Sequence, residues 1–359
     1  MGKVYTNTKI FHFANRLEQL KLGGIPAPIH IRLKPTNRCN HHCSYCCYRN
    51  PDLYLSERLR EEDRIPWAKM QELINDFAAM GVKAVTFSGG GEPLCYPHIA
   101  DTIRGLTAAG IKIATLTNGS LLSGEVAELL AHNAVWCRVS MDAADAETYG
   151  AIRRVPVTEF DRVCDNLRTF AAIPGRTCVL GINFIVTREN HTDIFTFLRK
   201  ARQLGADNVK LSGAVVSTKP KRNAAYHASI HAEARTQIDR AIRELSTPDF
   251  TIIDKLYEPE DEEGIYEKDF HWCPMIYFMT VIAADQQVYF CHDKAYTENG
   301  LLGSLKDTDF KTFWYDPATR VRIKNLDPGT DCCHHCADIL KNNMLLDYFE
   351  SDPDHLEFV

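Results

Sequence analysis

The 359-residue chain lacks any long hydrophobic run and any excess of positive charge. No apolar stretch approaches the roughly 20 residues that a transmembrane helix needs, so no membrane partner is expected. Lys and Arg number 41 against 47 Asp and Glu, and this acidic balance disfavours a general nucleic-acid binder. Residues Met1–Gln19 hold no apolar block ending in small residues, so the sequence predicts a cytoplasmic protein without a secretory signal.

Cysteine, in contrast, is abundant, with 13 residues. An odd number without a secretory signal predicts reduced thiols rather than disulfides. Three of them, Cys137, Cys164 and Cys178, lie in apolar or helical stretches and are predicted to be core residues. The other ten do not scatter: they are Cys39, Cys43, Cys46, Cys47, Cys95, Cys273, Cys291, Cys332, Cys333 and Cys336.

Short apolar runs alternate with helical patterns from residue 29 to residue 216. The six runs predicted to be strands are Ile29–Leu33, Ala84–Ser88, Lys112–Thr117, Val135–Ser140, Val179–Val186 and Asn208–Leu211. Helical patterns end before Gly81, Gly110 and Gly205, where a left-handed C-cap is needed. Six such units predict an α/β fold, a partial (β/α)6 TIM-like barrel, with an open doubly wound sheet as the alternative. In either fold, functional residues gather at the carboxyl ends of the strands.

The alternation stops after residue 216. A basic connection, Ser217–Arg222, a helical stretch and an acidic cluster, Glu258–Glu263, indicate a linker, and the cluster is interpreted as a solvated segment. Short β-like runs at Met279–Ala283 and Val288–Cys291 indicate a small C-terminal α+β domain. The predicted organisation is an N-terminal extension 1–28, a barrel 29–216, a helical linker 217–264, an α+β domain 265–341 and a tail 342–359.

Three cysteines follow the first predicted strand with the spacing C-x3-C-x2-C: Cys39, Cys43 and Cys46. Iron–sulfur clusters normally take four cysteines, so three thiolates would leave one iron for a non-protein ligand. The alternative is zinc, with the fourth ligand from Cys47, His41 or His42. Structural zinc usually pairs two C-x2-C knuckles, and the three-residue gap fits that pattern poorly.

The segment Cys39-x3-Cys43-x-Tyr45-Cys46 resembles the signature of the radical S-adenosylmethionine (SAM) superfamily. Two further segments are similar to motifs of this family: Phe87–Leu94 (FSGGGEPL) to its GGEP segment and Leu116–Gly119 (LTNG) to its TNG segment. The ammonium group of the cofactor needs carbonyl and carboxylate acceptors, and glycine lets the backbone come close. The resemblance covers about residues 29–216. The cofactor-binding residues that it implies are Tyr45, Gly90, Gly91, Glu92, Asn118, Ser140, Asp142, Arg153 and Ser212, with Asn183 and Asn190 as weaker candidates.

The resemblance implies a SAM-binding 4Fe–4S cluster on Cys39, Cys43 and Cys46. One electron from the reduced cluster would cleave SAM to methionine and a 5′-deoxyadenosyl radical, which takes a hydrogen atom from an unactivated C–H bond. A reductant such as flavodoxin or ferredoxin is the implied electron donor. Cys47 and Cys95 match no family role and are predicted to be packing residues.

The C-terminal cysteines Cys273, Cys291, Cys333 and Cys336 lie in a segment that resembles the SPASM/Twitch auxiliary-cluster domain. Four well-spaced cysteines suit the shorter Twitch form with one auxiliary 4Fe–4S cluster, and Cys332 is an alternative to Cys333. A structural zinc on the same thiolates is the competing interpretation. Four cysteine ligands leave no vacant iron, so this cluster is expected to transfer electrons rather than hold the substrate.

The predicted function is a radical SAM oxidoreductase or lyase acting on a small polar metabolite: a sugar, an aminocyclitol or a sugar nucleotide. Dehydrogenation suits the auxiliary cluster, which would accept the second electron. The alternatives are a peptide-modifying maturase and an epimerase or decarboxylase of a sugar or nucleoside. Only 28 residues precede the first predicted strand, too few for the leader-binding module of roughly 80 residues that many maturases carry. Candidate catalytic residues are Lys210, His292 and Asp293.

Overall fold

The computed structural model describes residues 6–50, 53, 55–256, 266–332 and 334–358. The acidic cluster Glu258–Glu263 and Cys333 therefore lie outside the described residues. The strands are β1 His30–Leu33, β2 Ala84–Phe87, β3 Lys112–Thr117, β4 Ala134–Ser140, β5 Val179–Val186, β6 Asn208–Gly213, β7 Thr251–Lys255, β8 Met279–Ile282, β9 Gln287–Tyr289 and β10 Leu301–Ser304. They form one sheet in the order β10-β9-β8-β1-β2-β3-β4-β5-β6-β7.

Strands β1 to β7 are parallel and neighbour one another in chain order. The six strands predicted from the sequence are confirmed to within two residues at each end, and with them the α/β partial-barrel class. Strand β7 was not predicted. It lies in the segment interpreted as a helical linker and pairs in parallel with β6. Its sequence, TIIDK, is too short and too polar at its end to be recognised as a strand without the partner.

The helices pack around this sheet and link its strands. They are α1 Ala14–Lys21, α2 Trp67–Met80, α3 Ile99–Ala108, α4 Gly124–Asn133, α5 Ala146–Arg153, α6 Thr158–Ala171, α7 Ile194–Gln203, α8 Pro220–Ala228, α9 His231–Leu245, α10 Phe310–Tyr315, α11 Pro317–Asn325, α12 Pro328–Asp331 and α13 Ile339–Glu350. The glycines predicted just after α2, α3 and α7 adopt the left-handed conformation, with φ of 71°, 70° and 81°. Cys137, Cys164 and Cys178 are buried, as predicted.

The C-terminal strands continue the barrel sheet rather than form a separate one. Strand β8 pairs in parallel with β1, with Leu33 opposite Ile282, and β9 and β10 follow as antiparallel neighbours. Strand β1 therefore joins the two regions, with β2 on one side and β8 on the other. Helix α13 crosses the predicted boundary at residue 341, and its Leu345 is fully buried.

Burial along the central strands separates two faces. Val139, Ile182 and Val209 have no exposed surface and lie on the face that packs against the helices. Arg138 and Lys210 occupy alternate positions, so their side chains point to the opposite face, inside the curved sheet. Among the described residues, no helix combines the length and apolar character needed to cross a bilayer.

Candidate active site

The first cysteine cluster lies on a loop that begins where β1 ends and is fastened to the end of α5. The His42 N–H donates to the Arg153 carbonyl at 3.1 Å, and the Ser44 N–H donates to the Ile152 carbonyl at 2.8 Å. The three predicted ligands on this loop are half-buried. The loop thus lies at the carboxyl end of the parallel sheet, where α/β barrels place their chemistry.

The protonation of the thiols and the distances between their sulfurs both affect which metal centre this loop can bind. Burial raises the pKa of Cys39 to about 12 and also raises the pKa of Cys46, so metal binding must displace their protons. Zinc, with Zn–S of about 2.3 Å, needs sulfurs about 3.8 Å apart. Among the described residues, only Cys291, Asp293 and His334 bring three ligand atoms within 4.8 Å of one another. The three sulfurs of this loop are therefore not all within 4.8 Å of one another, which is wider than one zinc ion requires.

A buried network around Asp142 connects the cysteine loop to α5 and β5. Arg153 forms an ion pair with Asp142 and donates from Nη1 to the Cys43 Sγ at 3.4 Å. The Tyr45 hydroxyl donates to the same carboxylate, and the Ile185 N–H donates to Asp142 Oδ1 at 2.8 Å. The structure therefore brings together Tyr45, Asp142 and Arg153, predicted as cofactor contacts, but uses the Asp142 carboxylate to hold Arg153 against Cys43.

Asn190 supports the same network from behind. Its Nδ2 donates to the carbonyls of Asp142 and Ile185, each at 2.8 Å, and its Oδ1 accepts from the Thr187 N–H at 2.8 Å. The side chain is fully buried. All these bonds go to backbone groups of the protein, so Asn190 serves to position the β4 and β5 ends.

Glu92 joins the carboxyl ends of β2 and β3. Its carboxylate accepts from the Thr117 hydroxyl at 2.6 Å, from the Asn118 N–H at 2.7 Å and from the Leu94 N–H at 3.0 Å. Burial raises the pKa of Glu92 despite these three donors. A contact from Glu92 to the cofactor ammonium stays a prediction; the bonds in the structure tie the GGGEP turn to the TNG turn.

The glycine turn packs directly against the start of the cysteine loop. A Cβ on Gly91 would lie 2.2 Å from the Arg38 carbonyl oxygen, and one on Gly90 would lie 2.4 Å from Asn37 Oδ1. Asn118 Nδ2 in turn donates to Asn40 Oδ1 at 2.7 Å. Side chains larger than hydrogen are thus excluded, because the loop and turn are in contact.

The remaining predicted cofactor contacts lie on the inner face of the sheet. Ser140 ends β4 and stands in register with Asn183 of β5, which stands in register with Lys210 of β6. Ser212, two positions further along β6, is half-buried on the same face. This row connects the predicted cofactor site to the barrel interior.

Sequence reasoning missed Lys34, which occupies the position between β1 and the cysteine loop. Its Nζ donates to the Tyr48 hydroxyl at 2.5 Å and to the Gly89 carbonyl at 2.8 Å, and lies 4.6 Å from the centre of the Tyr48 ring. Burial lowers the pKa of Lys34 to about 7. The sequence feature that could have indicated Lys34 is a lysine placed directly after a strand whose apolar residues are buried.

The second cysteine cluster assembles around one cavity in the C-terminal region. Four described cysteines line it: Cys273, Cys291, Cys332 and Cys336. Burial raises the pKa of each of Cys273, Cys291 and Cys336, the last to about 12. Cys332, considered only as an alternative from the sequence, is therefore at the site, while Cys333 is outside the described residues.

Of the predicted catalytic residues, Asp293 lines this second cavity, and His292 lies against Asp293. Asp293 Oδ2 accepts from the Ala337 N–H at 2.9 Å, and its Oδ1 lies 3.2 Å from His292 Nε2. The other ring nitrogen of His292 faces Asp338 at 3.7 Å. Burial raises the pKa of Asp293 to about 6. Lys210, the third candidate, lies inside the barrel instead.

Comparison with known protein families decides the assignment of the first region. Residues 33–201 match the model of the Radical SAM superfamily. The chain carries a radical SAM domain. The match includes the cysteine loop, the GGGEP turn, the TNG turn and Arg153, so the resemblance seen in the sequence is confirmed.

Curated relatives of the radical SAM domain have different activities. The chain is 28% identical over 184 residues to a probable GTP 3′,8-cyclase of Saccharolobus islandicus, covering 50% of this chain and 55% of that protein. It is 30% identical over 183 residues to the AdoMet-dependent heme synthase of Methanosarcina barkeri, covering 50% and 49%. The chain thus spans about half the length of these relatives.

Solved structures extend the likeness to the C-terminal region. Streptococcus suis SuiB bound to precursor peptide SuiA superposes with a TM-score of 0.64 at 16% identity, covering 90% of this chain and 73% of SuiB. AnSMEcpe with bound AdoMet gives 0.57 at 13% identity, covering 90% and 96%. At these identities the likeness shows a shared fold. The radical SAM family uses SAM and a 4Fe–4S cluster, and residues 33–201 of this chain match that family.

Proposed function

We propose that this radical SAM enzyme abstracts hydrogen from a small polar metabolite (a sugar, an aminocyclitol or a sugar nucleotide) and oxidises it as a dehydrogenase. One observation carries the proposal. Cys273, Cys291, Cys332 and Cys336 line a single cavity in the C-terminal region, apart from the first cysteine loop. A second iron–sulfur centre with four protein ligands would be closed to substrate and suited to accept an electron.

The residues at the first site fit the group that the family uses. Cys39, Cys43 and Cys46 would hold the cluster, and Arg153, donating to the Cys43 Sγ, would stabilise its negative charge. The ends of β2 to β6 would hold SAM. When bound, SAM and its cluster supply a carbon radical that removes one hydrogen atom from an unactivated C–H bond. The protein positions that C–H bond and excludes water.

Electron balance favours dehydrogenation over the other outcomes. Oxidation of a secondary alcohol to a ketone removes two hydrogens, of which the radical takes only one. The hydroxyl proton and one further electron must leave separately, and the second centre would receive that electron. Cys273, Cys291 and Cys336 would be three of its ligands, with Cys332 or Cys333 as the fourth. Flavodoxin or ferredoxin would supply the first electron.

A product analysis tests the proposal. The enzyme is reconstituted anaerobically, reduced with dithionite and incubated with SAM and a panel of sugars, aminocyclitols, sugar phosphates and sugar nucleotides. A dehydrogenase forms a product two mass units lighter, in equal amount to 5′-deoxyadenosine. An unchanged mass with hydrogen taken from solvent would indicate an epimerase, and carbon dioxide release a decarboxylase. Turnover of a peptide alone would overturn the metabolite proposal in favour of a maturase.

A further inference from the structure

An open groove that the proposed chemistry does not use lies beside the first cysteine site. Its walls come from the segments that follow β5 and β6 and from the first turns of α8, and its volume is about 300 Å³. Ligand pockets in proteins begin at about this size. Two arginines line the groove, Arg188 after β5 and Arg222 in α8, together with Tyr226. The groove therefore has room for a small ligand and carries two positive charges.

Arg188 is held in place by contacts that leave the end of its side chain available. Its backbone N–H donates to the Tyr226 hydroxyl at 3.0 Å, and its Nε donates to Ser229 Oγ at 3.2 Å. The guanidinium carbon lies 4.5 Å from the centre of the Tyr226 ring. Among the described residues, neither terminal nitrogen of Arg188 has a hydrogen-bond or ion-pair partner. A guanidinium fixed in this way is pre-organised to bind an anion, because little side-chain freedom is lost on binding.

Arg222 brings a second guanidinium to the same groove. It is the third residue of α8, and its backbone N–H donates to the Lys219 carbonyl at 3.0 Å. Its side chain is exposed and forms no hydrogen bond or ion pair within the part of the chain that the structure describes. One exposed arginine is an ordinary surface residue, but two that line one groove repel each other unless an anion lies between them. The pair therefore favours a negatively charged ligand.

Hydrogen bonds hold the wall of the groove between β6 and α8. The Val216 N–H donates to Asn223 Oδ1 at 2.8 Å, and the Lys219 N–H donates to Ser217 Oγ at 3.1 Å. The Tyr266 hydroxyl donates to the Ser217 carbonyl at 3.0 Å, which ties this wall to the C-terminal region. Ser217 itself is buried. The start of α8 is thus fixed relative to the end of β6.

One residue separates the groove from the first cysteine site. Asn50 donates from its backbone N–H to the Cys46 carbonyl at 2.9 Å and from its Nδ2 to the Val216 carbonyl at 3.5 Å. Val216 lines the groove, and Cys46 is a predicted cluster ligand. Strands β5 and β6 both end at this edge of the sheet, where parallel α/β folds place their reaction centres. A ligand in the groove would therefore lie next to the site where the radical would form.

The segments that build the groove are rich in positive charge. Residues 187–190 and 214–226 together carry four basic residues and one acidic residue. Three of the basic residues belong to the segment Ser217–Arg222, which the proposed chemistry leaves unexplained. The acidic residue, Glu189, forms no ion pair among the described residues. A local excess of one charge attracts ligands of the opposite charge.

We propose that the groove binds a phosphate group of the substrate, with Arg188 and Arg222 as its ligands. The inference rests on the proposed function and narrows its substrate class to a sugar phosphate or a sugar nucleotide. Phosphate presents several charged oxygens, and one guanidinium can bind two of them at once. A neutral sugar supplies no counter-charge, and the ammonium group of an aminocyclitol would be repelled by both arginines.

Equilibrium binding to the anaerobic holoenzyme, saturated with SAM so that the cofactor site is filled, tests this assignment. Inorganic pyrophosphate, glucose 1-phosphate and uridine diphosphate glucose are the phosphate probes. Glucose, glucosamine and citrate are the neutral, cationic and carboxylate comparisons. The phosphate probes should bind at least about tenfold more tightly than the comparisons. Binding of glucose or citrate as tight as that of the phosphate probes would overturn the proposal.

Variants locate the bound phosphate. Arg222→Gln and Arg188→Gln should each weaken binding of the phosphate probes about tenfold or more, and Arg222→Lys should lose less because it keeps the charge. Arg202→Gln, at an exposed position in the last turn of α7, removes the same charge elsewhere and is the matched control. The urea midpoint of Arg222→Gln should equal that of the parent, because its side chain has no hydrogen bond or ion pair to lose. Unchanged phosphate binding in both groove variants would place the phosphate elsewhere and overturn the proposal.

A reduction assay separates substrate binding from docking of an electron donor. Formation of 5′-deoxyadenosine is followed with dithionite and with reduced flavodoxin as donors. If the groove binds substrate, Arg222→Gln should leave the ratio of the two rates unchanged. A loss of rate with flavodoxin alone, together with unchanged phosphate binding, would show that the groove docks the electron donor and that the inference is wrong.

The product analysis distinguishes failure of this inference from failure of the proposed function. If the parent enzyme dehydrogenates a sugar that has no phosphate group, the inference fails and the proposed function stands. If the phosphate probes bind at the two arginines but no sugar phosphate or sugar nucleotide gives a product two mass units lighter, the proposed dehydrogenation fails and the phosphate site stands.

Discussion

The two cysteine sites of this protein differ in how the chain builds them. The first takes its cysteines from one short loop after β1, and hydrogen bonds from α5 and the β2 to β5 ends hold that loop. The second gathers cysteines from three distant parts of the C-terminal region around one cavity. The first offers three thiols and a guanidinium; the second offers four thiols with Asp293 beside them. The difference favours an open centre at the first site and a closed one at the second.

The largest expected effect comes from removing the open site. Replacing Cys39, Cys43 and Cys46 by Ala should abolish SAM cleavage, with a loss of activity of more than about 100-fold. Mutation of residues that only contact metal ligands already costs about 10- to 100-fold in metal affinity or activity, and loss of the ligands themselves should cost more. About four of about eight irons per chain should also be lost. Cleavage of SAM is measured as 5′-deoxyadenosine after dithionite reduction. Cys95→Ala, in the neighbouring turn, is the control; a triple variant as active as this control would place the active cluster elsewhere.

Removing the closed site should separate the two half-reactions. A Cys273→Ala, Cys291→Ala and Cys336→Ala variant should still form 5′-deoxyadenosine but should make little oxidised product, because the second electron has no acceptor. Single Cys332→Ala and Cys333→Ala variants then identify the fourth ligand, because the variant that lacks this ligand should lose about four irons per chain. Iron content and circular dichroism exclude simple unfolding, because a bound cluster also stabilises its domain. Full product yield in the triple variant would rule out electron transfer through this site.

The Asp142 network tests how firmly the first loop is held. Asp142→Asn leaves the buried Arg153 without its counter-charge and should lower the free energy of unfolding by about 3–5 kcal/mol. Asp145→Ala, which removes the N-cap bonds of α5, is the control and should cost about 1 kcal/mol. Urea unfolding of the two holoproteins gives the comparison. Equal costs would show that Asp142 is not needed to hold the loop.

Acid should lower the free energy of unfolding through His30 of β1, the strand that joins the two regions. Burial lowers the pKa of His30 to about 3 from an ordinary 6.5, and its Nε2 lies 2.8 Å from the Thr86 hydroxyl oxygen. Because the folded state disfavours the charged ring, stability is present above pH 6.5 and is lost as the pH falls towards 3. From pH 6.5 to 5 this loss is about 2 kcal/mol. His30→Gln should reduce the pH dependence of the free energy of unfolding by that amount. The control, His355→Gln at an exposed position, should leave it unchanged. Identical pH profiles for the parent and His30→Gln would contradict this prediction.

The smallest effect concerns an exposed contact between the regions. Arg58 Nη1 contacts both Glu298 carboxylate oxygens, at 2.9 and 2.8 Å, but Glu298 is 67% exposed. Glu298→Ala should therefore change the free energy of unfolding by less than about 1 kcal/mol, and by less still in high salt. Glu61→Ala, which removes an exposed pair within the first region, is the matched control. A much larger effect of Glu298→Ala in urea unfolding would mean that this ion pair joins the two regions.

Local patterns determined the first site and most of the fold. Six strands, the glycines after three helices and the order of the family motifs are all encoded within short segments, because strand periodicity, left-handed caps and loop spacing depend on near neighbours in the chain. The cysteine loop could therefore be recognised with its ligands and adjoining turns. The predicted roles of Glu92 and Asp142 came from the resemblance alone, and the structure shows that protein donors already occupy their carboxylates.

Tertiary structure alone decided the rest. Strand β7 could not be recognised because its short sequence depends on pairing with β6. Cys332 joins the second cavity through folding of separate segments, which no local spacing rule predicts. Arg32, Arg138 and Lys210 are far apart in sequence, and of the three only Lys210 was singled out from the sequence, as a candidate catalytic residue. Only the tertiary structure brings the charges of Arg138 and Arg32 near Lys210, because electrostatic interaction depends on distance in space rather than along the chain.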